Sequence, residues 1–201
     1  ARDDLDCFSP VAAEFRDRFD DVVVLGTGGS CLGGRTLCAL ADSGFGPQAG
    51  APRMRFMDNV DPHSFDALLA GLELARTGFL VISKSGTTVE TLTQFVVCAE
   101  AIRGALGEAE VSSRFTVITE SGDNALRRLA ARFGMRILDH DPAIGGRYSA
   151  LSLVGLLPAA IAGLDVANVR VGAAEVLDAA LAADAPDAVE PAIGAAIAVG
   201  L

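Results

Sequence analysis

With 201 residues, 51% hydrophobic, 21% charged and rich in glycine (22), the chain can bury one well-packed core, and its make-up is that of an α/β domain, not a disordered segment. A formal net charge of -10 and a pI near 4.6, with arginines scattered and no basic-aromatic stripe, exclude a nucleic-acid-binding surface. No apolar run is long enough to span a membrane, the Ala1-Arg2-Asp3-Asp4 start lacks a leader pattern, and Cys7, Cys31, Cys38 and Cys98 have neither C-x-x-C spacing nor histidine neighbours; we expect a cytoplasmic protein with free thiols and no metal or other cofactor.

The first predicted strand, Val22 to Leu25, runs into Gly26-Thr27-Gly28-Gly29-Ser30-Cys31-Leu32-Gly33-Gly34, which opens a helix predicted over Leu32 to Leu40. A loop so poor in side chains lets backbone amides approach an anion. The dinucleotide fingerprint fails, because Cys31 stands where Gly or Ala is needed. Gly29-x-x-x-x-Gly34 followed by Arg35-Thr36 comes nearer to a nucleotide P-loop, but with Arg in place of the phosphate-binding lysine. The alternative is that these glycines serve only close helix packing.

A second strand, Met54 to Met57, leads through Asp58-Asn59-Val60-Asp61-Pro62 into a helix over Phe65 to Ala75. The third, Phe79 to Ile82, ends in Ser83-Lys84-Ser85-Gly86-Thr87-Thr88-Val89-Glu90-Thr91, ahead of a helix over Thr88 to Ala105. Four hydroxyls, a lysine and a glycine in six consecutive positions before a helix make a fixed receptor for a phosphate dianion, through hydroxyl donors and the free amides of a positive helix end. Helix capping by Thr87 or Thr88 would need only one of those hydroxyls, and Glu90 supports the first turn.

A fourth strand, Phe115 to Ile118, a helix over Asn124 to Phe133 and a fifth strand, Met135 to Leu138, complete an alternation that predicts a parallel five-stranded sheet covered by helices on both faces. Ligands of such sheets sit beyond the carboxyl ends of the strands. Past Asp139-His140-Asp141-Pro142, the segment Gly145-Gly146-Arg147-Tyr148-Ser149 places an arginine behind two glycines, where it can lie against a ligand; a surface or ion-pair arginine is the other reading. An apolar helix containing Pro158 is predicted over Ala150 to Leu164, then two Ala-rich helices over Val169 to Leu201, separated near Ala182 to Pro186 and interrupted by Pro186 and Pro191. We divide the chain into a domain over 1–165 and a helical region over 166–201, and its Ala1 start and apolar end suggest a piece of something longer.

Three separated motifs now agree in order: the glycine loop from Gly26, the Ser83 to Thr91 loop and Gly145 to Ser149, with Phe56 to Pro62 as a further match. The chain resembles the bacterial-type phosphoglucose isomerases, within the wider class of sugar isomerase (SIS) domains. The resemblance implies a three-layer αβα sandwich of the flavodoxin-like, doubly wound kind, and the aldose–ketose isomerisation of glucose 6-phosphate and fructose 6-phosphate in glycolysis and gluconeogenesis, with no cofactor and a homodimer as the working form. Carried over by position, Ser83, Lys84, Ser85, Gly86, Thr87 and Thr88 would hold the substrate phosphate, Gly29 and Ser30 would line the sugar, and Arg147 would stabilise the enediolate. In the family the base is a glutamate and the ring-opening group a histidine, both beyond the arginine motif, and nothing here matches them; we expect a phosphate-binding N-terminal domain that is inactive alone. The other classes are a SIS-type sensor module, which should carry a DNA-binding helical segment, and a nucleotide-hydrolysing enzyme using magnesium at Gly29 to Thr36.

Overall fold

The computed structural model describes residues 4–42, 44–183 and 189–200. Five strands, β1 (Asp21–Leu25), β2 (Arg53–Met57), β3 (Thr77–Ile82), β4 (Phe115–Glu120) and β5 (Arg136–His140), pair parallel in the order β2-β1-β3-β4-β5. Side-chain alternation along these strands separates the layers. Val23, Leu25, Phe79, Val81, Phe115 and Val117 enter one core with residues of α3 (Pro62–Ala70), α4 (Val89–Leu106), α5 (Ala109–Arg114) and α6 (Ala125–Arg132). Their neighbours Val22, Val24, Leu80, Ile82 and Ile118 are equally buried and point the opposite way, toward the layer in which α1 (Leu5–Arg18), α2 (Gly29–Asp42) and α7 (Leu153–Ile161) pack on one another. The expected three-layer, parallel, doubly wound arrangement is what the chain forms.

Chain order matters for function at one place. From β1 the chain passes to β2 on one side and then to β3 on the other, so the crevice of this sheet opens between the carboxyl ends of β1 and β3.

The elements differ from the sequence expectations where local chemistry intervenes. α1 lies before the first predicted strand; its buried Phe8, Val11, Ala12 and Phe15 recur at helical spacing despite Pro10. The helix expected to reach Ala75 stops at Ala70, because Gly71 caps it, and a short 3-10 turn follows at Leu74–Arg76. α7 begins only at Leu153, where the Ser152 hydroxyl accepts from Val154 N. Pro191 is the second residue of a helix, α9 (Glu190–Gly200), so it opens that helix where no amide is needed instead of interrupting it.

The chain divides into two compact units, Ala1–Leu164 and Asp165–Leu201. The second holds α8 (Val166–Ala182), whose cap Asp165 accepts from Ala167 N and Asn168 N at 3.1 Å, and α9. The expected connection Ala182 to Pro186 falls largely outside the described residues. No helix among the described residues is long and apolar enough to cross a membrane.

All four cysteines are free, and only Cys7 is exposed. Burial pushes the Cys31 thiol up to about 11 and those of Cys38 and Cys98 up to about 12. In the native state one thiol should therefore react with iodoacetamide at pH 8, and all four after unfolding, as counted by mass spectrometry. Because the three buried thiols ionise first in the unfolded chain, their contribution to stability is complete below the ordinary thiol value near 9 and is lost as pH rises toward 11 and 12. The unfolding free energy read from urea titrations should fall above pH 9, by about 1.4 kcal/mol per pH unit for each thiol until its folded value is reached.

Candidate functional site

The glycine loop leaves β1 with Gly26 N donating to Met57 O at 3.2 Å, and turns into α2 at Gly28, which has φ 53°. Three amides are taken up where the loop enters the helix: Ser30 N donates to Thr27 O, and Cys31 N and Leu32 N both donate to Gly28 O. What the glycines provide is proximity. A Cβ on Gly29 would fall onto the backbone oxygen of Gly146, one on Gly33 would lie 2.8 Å from Ala150 Cα, and one on Gly34 2.8 Å from Pro158 Cγ. α2 thus presents a bare stripe against the Gly146 to Pro158 stretch, which is the packing reading of this motif.

The nucleotide reading fails here. Arg35 and Thr36 sit in the body of α2, where Arg35 pairs with Asp58 at 3.5 Å and the Thr36 hydroxyl donates to Leu32 O at 2.9 Å. A P-loop needs both at the mouth of the loop, facing phosphates.

The Ser83 to Thr88 loop occupies the other side of the crevice, and a Cβ on Gly26 would come 2.9 Å from Ile82 O at its start. Ser83 is buried, and its hydroxyl donates to Thr88 Oγ1 at 3.1 Å. Ser85 Oγ accepts from Thr87 N at 3.3 Å and from the Thr87 hydroxyl at 3.1 Å, both side chains being exposed. Thr88 occupies the cap position of α4 yet makes no side-chain capping bond. The amides of the first turn of α4, which have no intrahelical acceptor, are therefore not claimed by the cap hydroxyl. Gly86 is forced twice over. Its φ is +64°, and a Cβ there would overlap the side-chain amide of Asn124, while its carbonyl accepts from Leu126 N at 2.9 Å.

Arg147 lies in a 3-10 turn over Gly146–Tyr148, exposed and without an ion-pair partner among the described residues. Ser149, buried, holds this turn with its one hydroxyl proton shared between Gly146 O at 2.7 Å and Gly29 O at 3.3 Å. Lys84 reaches across from the end of β3: its Nζ donates to Pro142 O and Ile144 O, both at 2.9 Å, and meets Glu120 Oε1 at 3.3 Å. The three loops singled out in the sequence are thereby joined, Gly29 to Gly146, Gly26 to Ile82 and Lys84 to the turn ahead of Arg147.

Residues that escaped the sequence reading complete the frame. Asn124 caps α6 by accepting from Arg127 N at 2.8 Å while packing on Gly86, and Gln94 Nε2 donates to Asn59 O at 3.1 Å, tying α4 to the loop after β2. Among the described residues Thr91 Oγ1 and Gln94 Oε1, on the inward face of α4, are buried without a hydrogen-bond partner. An Asn directly before an amphipathic helix is a visible cap signal, whereas nothing local marks Gln94. His140, which looks like a loop residue in the sequence, is the buried last residue of β5, its Nδ1 2.8 Å from Asp141 O. Among the described residues no group of three or more His, Cys, Asp or Glu could hold a metal.

The family model described as phosphoglucose isomerase matches residues 13–199. The chain belongs to the phosphoglucose isomerase family. Among its relatives, the glucose-6-phosphate isomerase of Rubrobacter xylanophilus is 39% identical over 181 residues, covering 88% of this chain and 42% of that protein. That of Thermus thermophilus is 37% identical, over 81% of this chain and 38% of the relative. In three dimensions the chain superposes on a hypothetical protein, also from Thermus thermophilus, with a TM-score of 0.78 at 32% identity, covering 96% of this chain and 46% of that one. A glucose-6-phosphate isomerase from Chlamydia trachomatis gives 0.76 at 25% identity, over 90% of this chain and 34% of its own. The chain thus spans less than half the length of each of these relatives.

Proposed function

We propose that the first unit is the sugar-phosphate-binding SIS domain of a glucose-6-phosphate isomerase, and that the intact protein interconverts glucose 6-phosphate and fructose 6-phosphate in the cytoplasm, in glycolysis and gluconeogenesis. The observation that carries this reading is the end of β3, where the cap hydroxyl of Thr88 leaves the first turn of α4 uncapped and exposed Ser85 and Thr87 hydroxyls gather beside it at the β1/β3 crevice. The loop of Ser83, Lys84, Ser85, Gly86, Thr87 and Thr88 receives the phosphate, and Gly29 and Ser30 line the sugar. Arg147, whose guanidinium has no acid partner among the described residues, faces the oxygen on which charge builds as the proton moves between adjacent carbons. The base and the ring-opening group are supplied from outside residues 1–201, the 166–201 region leads toward that further domain, and a homodimer is the working form. No cofactor or metal enters this chemistry.

Calorimetric titration of the chain with fructose 6-phosphate, in phosphate-free buffer, tests the reading. We expect saturable binding, with unphosphorylated fructose and magnesium-ATP silent. Fructose binding as tightly as its phosphate ester would defeat the assignment of the Ser83 to Thr88 loop.

A further inference from the structure

Lys84 sits in the middle of the hydroxyl-rich loop, where a lysine next to a phosphate receptor is naturally assigned to the phosphate. Its ammonium has three N–H donors, and three acceptors surround it: the carbonyls of Pro142 and Ile144 and the carboxylate of Glu120. The two carbonyls belong to one turn, closed by Ile144 N donating to Asp141 O at 3.1 Å and Ala143 N to Asp141 Oδ1 at 2.8 Å. That turn runs through Gly145 into the 3-10 turn that bears Arg147. On its far side the same segment is seated by Ser149 against Gly29. Residues 141–149 are therefore held at two points, by a charge-assisted clamp from β3 and β4 at one end and by backbone contact with α2 at the other.

We propose that Lys84 is a positioning residue: its ammonium fixes the loop that presents Arg147, and its share in the phosphate-binding loop is its backbone alone. This rests on the reading of the site given above. Two hydrogen bonds to carbonyls and an ion pair with Glu120 hold the ammonium away from a phosphate, and releasing it toward a ligand would give up all three contacts. Fixing Arg147 before substrate arrives is what an electrostatic stabiliser requires, since a donor that must reorganise during the reaction contributes less.

The test uses Lys84→Met, which keeps the stem and removes the charge, and Lys84→Arg, which keeps the charge but replaces the compact ammonium by a planar fork that cannot reproduce the same contacts. Hydrogen exchange at the amides of Ala143, Ile144 and Tyr148 reads the clamp directly. Both variants should exchange faster there, with β3 and β4 unchanged. Calorimetry with fructose 6-phosphate and with a phosphorylated sugar acid, whose carboxylate stands where the enediolate forms, reads its consequence. Affinity for fructose 6-phosphate should stay within about threefold, while preference for the acid falls about tenfold, and in an Arg147→Ala background Lys84→Met should have no further effect.

Unchanged exchange in the variants would overturn the proposal. So would equal loss for both ligands, additive with Arg147→Ala and spared in Lys84→Arg, which would make the ammonium a phosphate ligand. If the unaltered chain binds neither ligand, the site reading itself fails; faster exchange would then show a purely structural tie and end the positioning role.

Discussion

Gly29→Ala should cost about 3 kcal/mol of stability, the upper part of the range for forcing an atom into a packed interior. For a chain of this size that is roughly 6–12 °C in thermal midpoint. The reason lies in the partner. An alanine Cβ at 29 meets the backbone oxygen of Gly146, not the tip of a side chain that could swing aside, so either α2 or the Arg147 turn must move. The turn is the weaker of the two, held on that side by Ser149 donating to Gly29 O itself at 3.3 Å. Sugar-phosphate binding should therefore weaken along with stability. Gly104→Ala is the matched control: it lies in α4, nothing stands within 4 Å of its Cβ, and the change should stabilise by about 0.5–1 kcal/mol. Thermal denaturation followed by circular dichroism gives both numbers. A midpoint unaltered by Gly29→Ala would mean that α2 and the Arg147 turn are not in contact.

Arg147→Ala should separate two ligands that share the phosphate and differ in whether they carry a carboxylate. Fructose 6-phosphate, held through its phosphate by the Ser83 to Thr88 loop, should lose little affinity. A phosphorylated sugar acid placing a carboxylate where the enediolate forms should bind about 10- to 100-fold less tightly, the effect of one charge-assisted hydrogen bond of about 1.5–3 kcal/mol. Folding should be unaffected, because the side chain is exposed and has no ion-pair partner among the described residues to strand. Paired calorimetric titrations supply the ratio. Equal weakening of both ligands would move Arg147 to the phosphate and away from the developing oxygen charge.

Much of this was legible because it is local. Strand and helix periods alternate along 22–138, and alternation alone requires a parallel sheet with its ligand edge at the carboxyl ends. Ser83-Lys84-Ser85-Gly86-Thr87-Thr88 is a cluster of hydroxyls before a helix in any fold that keeps that order, and Gly86 turned out to be required by its φ of +64°. α1 was legible too, since Phe8, Val11, Ala12 and Phe15 keep helical spacing, but Pro10 and the charged face obscured it.

The sequence by itself determined the layers, the edge of the sheet that carries the loops, and the family, because each rests on periodicity or on contiguous motifs. Only the tertiary structure decided what the glycines and the lysine touch. Whether Gly29, Gly33 and Gly34 cradle an anion or admit another helix depends on Gly146, Ala150 and Pro158, more than a hundred positions away. Whether Lys84 meets a phosphate or a loop depends on Glu120, Pro142 and Ile144. A backbone without a side chain and a long flexible cation take their roles from whatever the fold brings within reach, and that is fixed by the packing of distant segments.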